Sequence, residues 1–177
     1  MNYWPQGYRE AFQSGNPIEP LKAALDSLPG GGGCLEIGCG DGYWTNKLLV
    51  PKFDRVVCVD IIEKPKYFKG EYHQQTGTSL KQFREKFFNT VYSFGVFCHL
   101  SLDEQSSYLK EIRRVLKGRA LIMFANWPRH YALKHMAGFV DGWHYNDLTM
   151  TKKMVENCGF QFIDFDPSYR DTIGILW

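Results

Sequence analysis

The stretch Cys34-Leu35-Glu36-Ile37-Gly38-Cys39-Gly40-Asp41-Gly42-Tyr43-Trp44 joins a short apolar run, an acid and three glycines at alternate positions. A strand that turns into a helix through glycines lets a ligand approach the backbone, because no Cβ intervenes, and the helix start offers unpaired N–H groups. The spacing is not that of a dinucleotide turn, G-x-G-x-x-G. Counted from Gly38 the third glycine would be Tyr43, and counted from Gly40 it would be Thr45. Glu36 beside the turn would repel a pyrophosphate and attract a cation, which points to a ligand carrying an ammonium group and no phosphate. A second chemical candidate is His99, just past another apolar run. An imidazole titrates near neutrality and can serve as general base for a hydroxyl; the same residue reads equally well as a loop histidine held by hydrogen bonds. His144 and Tyr145, in an aromatic-rich stretch, are its rivals.

The elements that must position these residues follow from periodicity and breakers. Asn16-Pro17 and Pro20 start a helix whose apolar face is Leu21, Leu25 and Leu28. Strands are expected at Cys34 to Ile37, Arg55 to Asp60, Glu71 to Gln75, from Asn89, up to Ala125, at Phe160 to Phe165 and at Thr172 to Trp177. Helices are expected from Tyr43 to Val50, and from Thr78 to Phe88 on the spacing of Leu80, Phe83 and Phe87. A further helix, about Leu102 to Leu116, buries Leu109, Ile112, Val115 and Leu116 and turns Lys110, Arg113 and Arg114 to solvent; another runs from Thr149 to Cys158. Alternating strands and helices make a parallel sheet covered on both faces. The turn Asp166-Pro167-Ser168-Tyr169 is too short for a parallel crossover, so the last two strands form an antiparallel hairpin. Two segments fit the periodic pattern least. In residues 1–17, Trp4, Tyr8 and Phe12 recur every four positions and form either a packing face or a lid. The insert 126–148, with Trp127, Pro128, His130, Tyr131, His135 and Trp143, reads as the substrate wall.

Glu-x-Gly-x-Gly-x-Gly resembles the first motif of the class I S-adenosylmethionine-dependent methyltransferases. Arg55-Val56-Val57-Cys58-Val59-Asp60 is similar to that family's second strand, and the run from Asn89 to Leu100 to its fourth strand and following loop. Tyr108 to Phe124 looks like its helix, basic turn and fifth strand, so the likeness spans roughly residues 18 to 177. It implies an α/β fold, a Rossmann-like, mostly parallel seven-stranded sheet, with S-adenosyl-L-methionine as cofactor. By resemblance Glu36 would receive the methionine ammonium, and Gly38, Cys39, Gly40, Gly42, Tyr43 and Trp44 would line the cofactor. Asp60 would hold the ribose and Ile61 would pack on the adenine. Ser93 and Gly95 lie at the fourth strand's end, where such a sheet binds its ligand. The family often carries an acid after the third strand; here stands Gln74-Gln75-Thr76-Gly77-Thr78-Ser79, so Gln75, Thr76 or Thr78 would contact the adenine through an amide or hydroxyl. The Asn-Pro-Pro-Tyr clamp of nucleic-acid amino methylation is absent.

Composition sets the frame. A chain of 177 residues, 44% hydrophobic and 23% charged, suits one globular domain over 1–177. A net charge of +2 is too mild to argue for a nucleic-acid or membrane partner. The N-terminus does not read as a signal peptide, which points to the cytoplasm. Five cysteines without a C-x-x-C pair read as reduced and buried, with no metal site. The expected activity is methyl transfer to an oxygen or nitrogen of a small molecule. The alternatives are a methyltransferase acting on RNA or protein, and a non-catalytic S-adenosylmethionine-binding partner subunit; the oligomeric state is not read from the sequence.

Overall fold

The computed structural model describes residues 18–126, 143–165 and 172–177. The aromatic N-terminal segment, Trp127 to His135 of the insert and the turn Asp166-Pro167-Ser168-Tyr169 lie outside the described residues. Among the described residues, seven strands form one sheet: β1 (Gly33–Ile37), β2 (Arg55–Asp60), β3 (Glu71–Gln74), β4 (Phe88–Ser93), β5 (Leu116–Phe124), β6 (Phe162–Asp164) and β7 (Thr172–Leu176). Their order is β3-β2-β1-β4-β5-β7-β6. β1 pairs in parallel with β2 and β4, β2 with β3, and β4 with β5. β7 lies antiparallel between β5 and β6. This is the mostly parallel sheet with a C-terminal antiparallel pair that the sequence predicts.

The central strands read as apolar runs because they are buried on both faces. On one face, Cys34, Cys58, Tyr92 and Leu121 pack with Leu21, Ala24 and Leu25 of α1 (Ile18–Asp26) and with Leu28 beyond it. On the other, Leu35, Ile37, Val57, Val59 and Val91 share a core with Leu109, Ile112 and Val115 of α2 (Leu102–Val115) and Val155 of α3 (Leu148–Asn157). Both later helices start on clear caps. Ser101 and Glu104 form a reciprocal capping box on α2, and the Asp147 carboxylate accepts from the Thr149 and Met150 N–H groups of α3.

Thr78 to Phe88 does not form the expected helix. The segment is irregular, with Lys86 at φ 50°, yet it still buries Leu80, Phe83 and Phe88. Side chains of α2 take the place of an i→i−4 ladder. Arg114 donates to the carbonyls of Leu80 and Phe83, each at 2.8 Å, and Glu111 accepts from the Leu80 N–H at 2.7 Å. Arg114 and Glu111 also pair with each other at 2.9 Å. Buried backbone groups need partners, but those partners need not be helical. Arg114 is therefore half-buried, not solvent-facing as its neighbours in sequence suggest. Replacing it, Arg114→Met, should lower stability by about 2–3 kcal/mol, the cost of removing charged hydrogen bonds from two carbonyls. Urea denaturation measures this, and an unchanged midpoint would show that water satisfies the 80–83 loop.

Candidate functional site

From β1 the chain runs outward through β2 to β3, then returns to β4 on β1's other side. The carboxyl ends of β1 and β4 are thus where the connections diverge, which opens a crevice. Gly38, Gly40 and Gly42, in the turn after β1, have φ of 82°, 52° and 80°. L side chains avoid this region. A Cβ on Gly38 would stand 2.0 Å from Val96 Cγ2, and one on Gly42 2.4 Å from Phe68 Cβ. Two of the three glycines assigned to a ligand are therefore required first by the protein itself, which packs Val96 and Phe68 onto the turn.

Asp60, at the tip of β2, ties three strand ends together. Its Oδ2 accepts from the Gly40 N–H at 2.7 Å, and its Oδ1 from Ile61 and Ile62 at 2.7 and 3.3 Å. Its carbonyl accepts from the Gln75 N–H at 2.8 Å and from the Tyr72 hydroxyl at 3.1 Å. The carboxylate is half-buried, and the adjoining Ile61 is 49% exposed. Past β3, Gln75 is committed to the protein: its Nε2 donates to the Tyr108 hydroxyl of α2 at 3.1 Å. Thr76 is exposed and Thr78 half-buried.

Glu36 is only 3% exposed. Its Oε2 accepts from the Thr45 hydroxyl at 2.5 Å and from the Cys58 thiol at 3.4 Å. The carboxyl is thus buried at the end of β1, with Oε2 committed to Thr45 and Cys58. Thr45 opens a π-helical turn, Thr45–Leu49, where a regular helix was expected, and its side chain points down to Glu36. Burial pushes the Glu36 carboxyl up to about 7, and the nearby Asp60 charge adds to the rise, against the two hydrogen bonds. All five cysteines are free and buried.

The remaining expected residues surround this centre. Cys39 is buried beside Gly40. Tyr43 stacks edge-on against Trp44 and against Tyr67, at 5.1 and 6.0 Å between centroids. The Ser93 hydroxyl is buried and donates to the Ile37 carbonyl at 3.1 Å, so it joins β4 to β1. Gly95 follows at φ 71°.

The backbone segments that carry the three candidate bases meet beyond the ends of β4 and β5, and the His144 side chain itself is exposed. Val96, which closes on Gly38, accepts the His99 N–H at its carbonyl at 2.8 Å, in the turn Phe97–His99. The His99 ring meets Trp143 edge-on at 6.1 Å, and Trp143 lies 6.0 Å from Tyr145. The His144 N–H donates to the Cys98 carbonyl at 2.6 Å. Trp143 and Tyr145 rest on Cys98, Met123 and Ala125. Beneath them lie buried Gln105, Asn126, Asn146, Thr151 and Thr172, which sequence reasoning did not single out. One signal was present: Gln105 falls on the apolar stripe of α2, four residues before Leu109 and seven before Ile112.

Residues 35–124, about half of the chain, match the family described as "Methyltransferase domain". Among solved structures, a Haloferax volcanii protein described as a methyltransferase, in complex with the Trm112 methyltransferase activator, aligns at a TM-score of 0.73 and 13% identity. That alignment covers 97% of this chain and 93% of that one. A Pyrococcus horikoshii protein aligns at 0.72 and 21% identity, over 97% and 91% of the two chains. The Burkholderia thailandensis 1,6-didemethyltoxoflavin-N1-methyltransferase, with its named compound and S-adenosylhomocysteine bound, aligns at 0.66 and 18% identity over 96% and 80%. These likenesses are of fold. No protein of curated function matches the sequence. The chain belongs to the class I S-adenosylmethionine-dependent methyltransferases. Its cofactor is S-adenosylmethionine, and the crevice suits that molecule. A half-buried carboxylate has acceptor capacity for hydroxyls beyond its backbone partners, and exposed Ile61 beside it offers an apolar flank for a ring.

The raised Glu36 pKa makes a linkage prediction. In the folded state the proton is kept up to about pH 7, whereas the unfolded chain releases it near a glutamate's ordinary value of 4.5. The folded state therefore binds more protons in that window, and this group's contribution to stability falls as pH rises through it. Glu71 and Glu111, held low by Arg55 and Arg114, slope the opposite way, so the comparison must be with a variant. Glu36→Gln should gain on wild type by up to about 3 kcal/mol between pH 4.5 and 8. Denaturation of both proteins across that range checks it; a difference independent of pH would mean that Glu36 is ionised throughout.

Proposed function

We propose that the protein transfers the methyl group of S-adenosylmethionine to an oxygen or nitrogen of a small molecule held against the His99, Trp143 and Tyr145 wall. The observation that carries this reading is the continuity of one short turn. Val96 packs on the cofactor turn at Gly38, and His99 hangs from the Val96 carbonyl three residues later. The group that closes on the donor side and the group that could take a proton belong to the same rigid piece.

S-adenosylmethionine supplies a methyl on a positively charged sulfur, so its departure needs no proton from the protein. What remains for the chain is to place the acceptor in line, and orientation alone can be worth several kcal/mol. Asp60 holds the ribose in this reading, and Ile61 flanks the adenine. Glu36 acts by holding Thr45 and the start of the helix. A hydroxyl acceptor needs its proton removed as the bond forms, which is the task given to His99; an amine bound in its neutral form does not. The alternative of an RNA or protein acceptor, or of a partner-dependent subunit, draws its support from the fold shared with the Haloferax protein bound to its activator. A radiolabelled methyl-transfer screen over metabolite, RNA and protein pools separates these readings.

Three further outcomes are expected. Calorimetry should show binding of S-adenosylmethionine and S-adenosylhomocysteine and none of NAD. Asp60→Ala should weaken both cofactor forms by about 1.5–3 kcal/mol and also lower stability, because the Gly40 and Ile61 N–H groups lose their acceptor; affinity unchanged in the folded fraction would make Asp60 purely structural. On a hydroxyl substrate, wild type should lose rate on the acid side, and His99→Asn should be slower by roughly 100-fold. Near-normal turnover of that variant would move the base to His144 or Tyr145.

A further inference from the structure

The wall that carries His99 and His144 stands on a chain of buried amides. Gln105 Nε2 donates to the carbonyls of Phe97 at 2.9 Å and Leu100 at 2.8 Å, which bracket the turn containing His99. Its Oε1 accepts from Asn146 Nδ2 at 3.1 Å. Asn146 donates its own N–H to the Ala125 carbonyl at 3.1 Å, and its segment bridges to Asn126 at the end of β5. Asn126 then accepts from the Thr151 hydroxyl of α3 at 3.1 Å and donates to Thr172 of β7.

Packing does not call for an amide at position 105. The residue is 1% exposed, at helical spacing from the apolar Leu109 and Ile112, so the amide is there for its hydrogen bonds and not for its bulk. A buried amide is tolerated only when its groups are paired, and then it specifies one geometry. Here both amide hydrogens go to the turn at 97–100 and the oxygen goes to the segment at 143–146. These two pieces also meet through the His144 N–H on Cys98, the His99–Trp143 ring contact and the packing of Trp143 and Tyr145 on the Cys98, Met123 and Ala125 cluster.

We propose that Gln105 is a positioning residue for methyl transfer: its side chain sets where His99 stands relative to Trp143 and Tyr145, and so where the acceptor is held. The inference rests on reading this wall as the acceptor side. It does not involve the cofactor crevice, where Gln105 has no hydrogen bond.

The test uses the full-length protein with Gln105→Met, which keeps the volume and removes all three hydrogen bonds. S-adenosylhomocysteine affinity should stay within about twofold of wild type, because the Val96 side chain still packs on Gly38 and Gln105 makes no hydrogen bond in the crevice. Amide exchange at His144 should accelerate by roughly tenfold or more while the amides of β1 and β4 keep their protection. With the acceptor found in the methyl-transfer screen, kcat should fall by roughly tenfold or more at an unchanged KM for S-adenosylmethionine. Asn146→Leu, which removes one of the three bonds, should show the same pattern more weakly and serves if Gln105→Met does not fold. Unchanged exchange at His144, equal acceleration throughout the sheet, or an unchanged kcat despite local opening would each overturn the proposal. If wild type binds neither S-adenosylmethionine nor S-adenosylhomocysteine, the functional reading fails and this role falls with it. A bound cofactor with a normal kcat in the variant rejects Gln105 alone.

Discussion

The site depends on a backbone constraint. The chain after β1 must run through left-handed conformations, which glycine accepts at little cost, and neighbouring segments close into the space where side chains would stand. Val96 reaches over Gly38 and Phe68 over Gly42. The loops that follow β4 and β2 are thereby held against the turn that follows β1. Asp60 completes the joint by accepting the Gly40 N–H while anchoring the strand end beside it. A larger residue at Gly38 would push away the turn that carries His99, and one at Gly42 the loop that carries Phe68.

Electrostatics in this centre are arranged in depth. Asp60 lies half-exposed at the surface of the crevice, while Glu36 lies beneath it, buried and hydrogen-bonded to Thr45 and Cys58. Burial makes ionisation of the deeper carboxyl costly, and the charge of the shallower one adds to that cost. Two acids one layer apart therefore have different duties: the outer one accepts backbone amides of the turn and of its own strand end, and the inner one holds Thr45 at the helix start. The segments around His99 and Trp143 are built on another principle. There, neutral amides fully paired below an aromatic layer hold two loops at a fixed separation, with little apolar core of their own to do so.

Much of this protein was decided by local pattern. The continuous apolar strands, the glycine turn ending in an acid-flanked motif, the capping box at Ser101 and the short C-terminal turn determine a mostly parallel sheet with one antiparallel pair, and with it the family. These signals survive in sequence because each depends on neighbours a few residues apart. What the tertiary structure alone decided is how polar groups were shared between distant segments. Leu80, Phe83 and Phe87 have helical spacing, yet Arg114 and Glu111 from α2 satisfy the backbone there and no helix forms. Glu36 reads as a strand-end ligand, yet Thr45 and Cys58 draw it inward. His99 and the pair His144-Tyr145 lie far apart in the chain, and their segments are joined by Gln105 and Asn146, whose hydrogen bond spans 41 residues. Hydrogen bonds of that reach leave no periodic trace, because their geometry exists only once the sheet has brought its strand ends together.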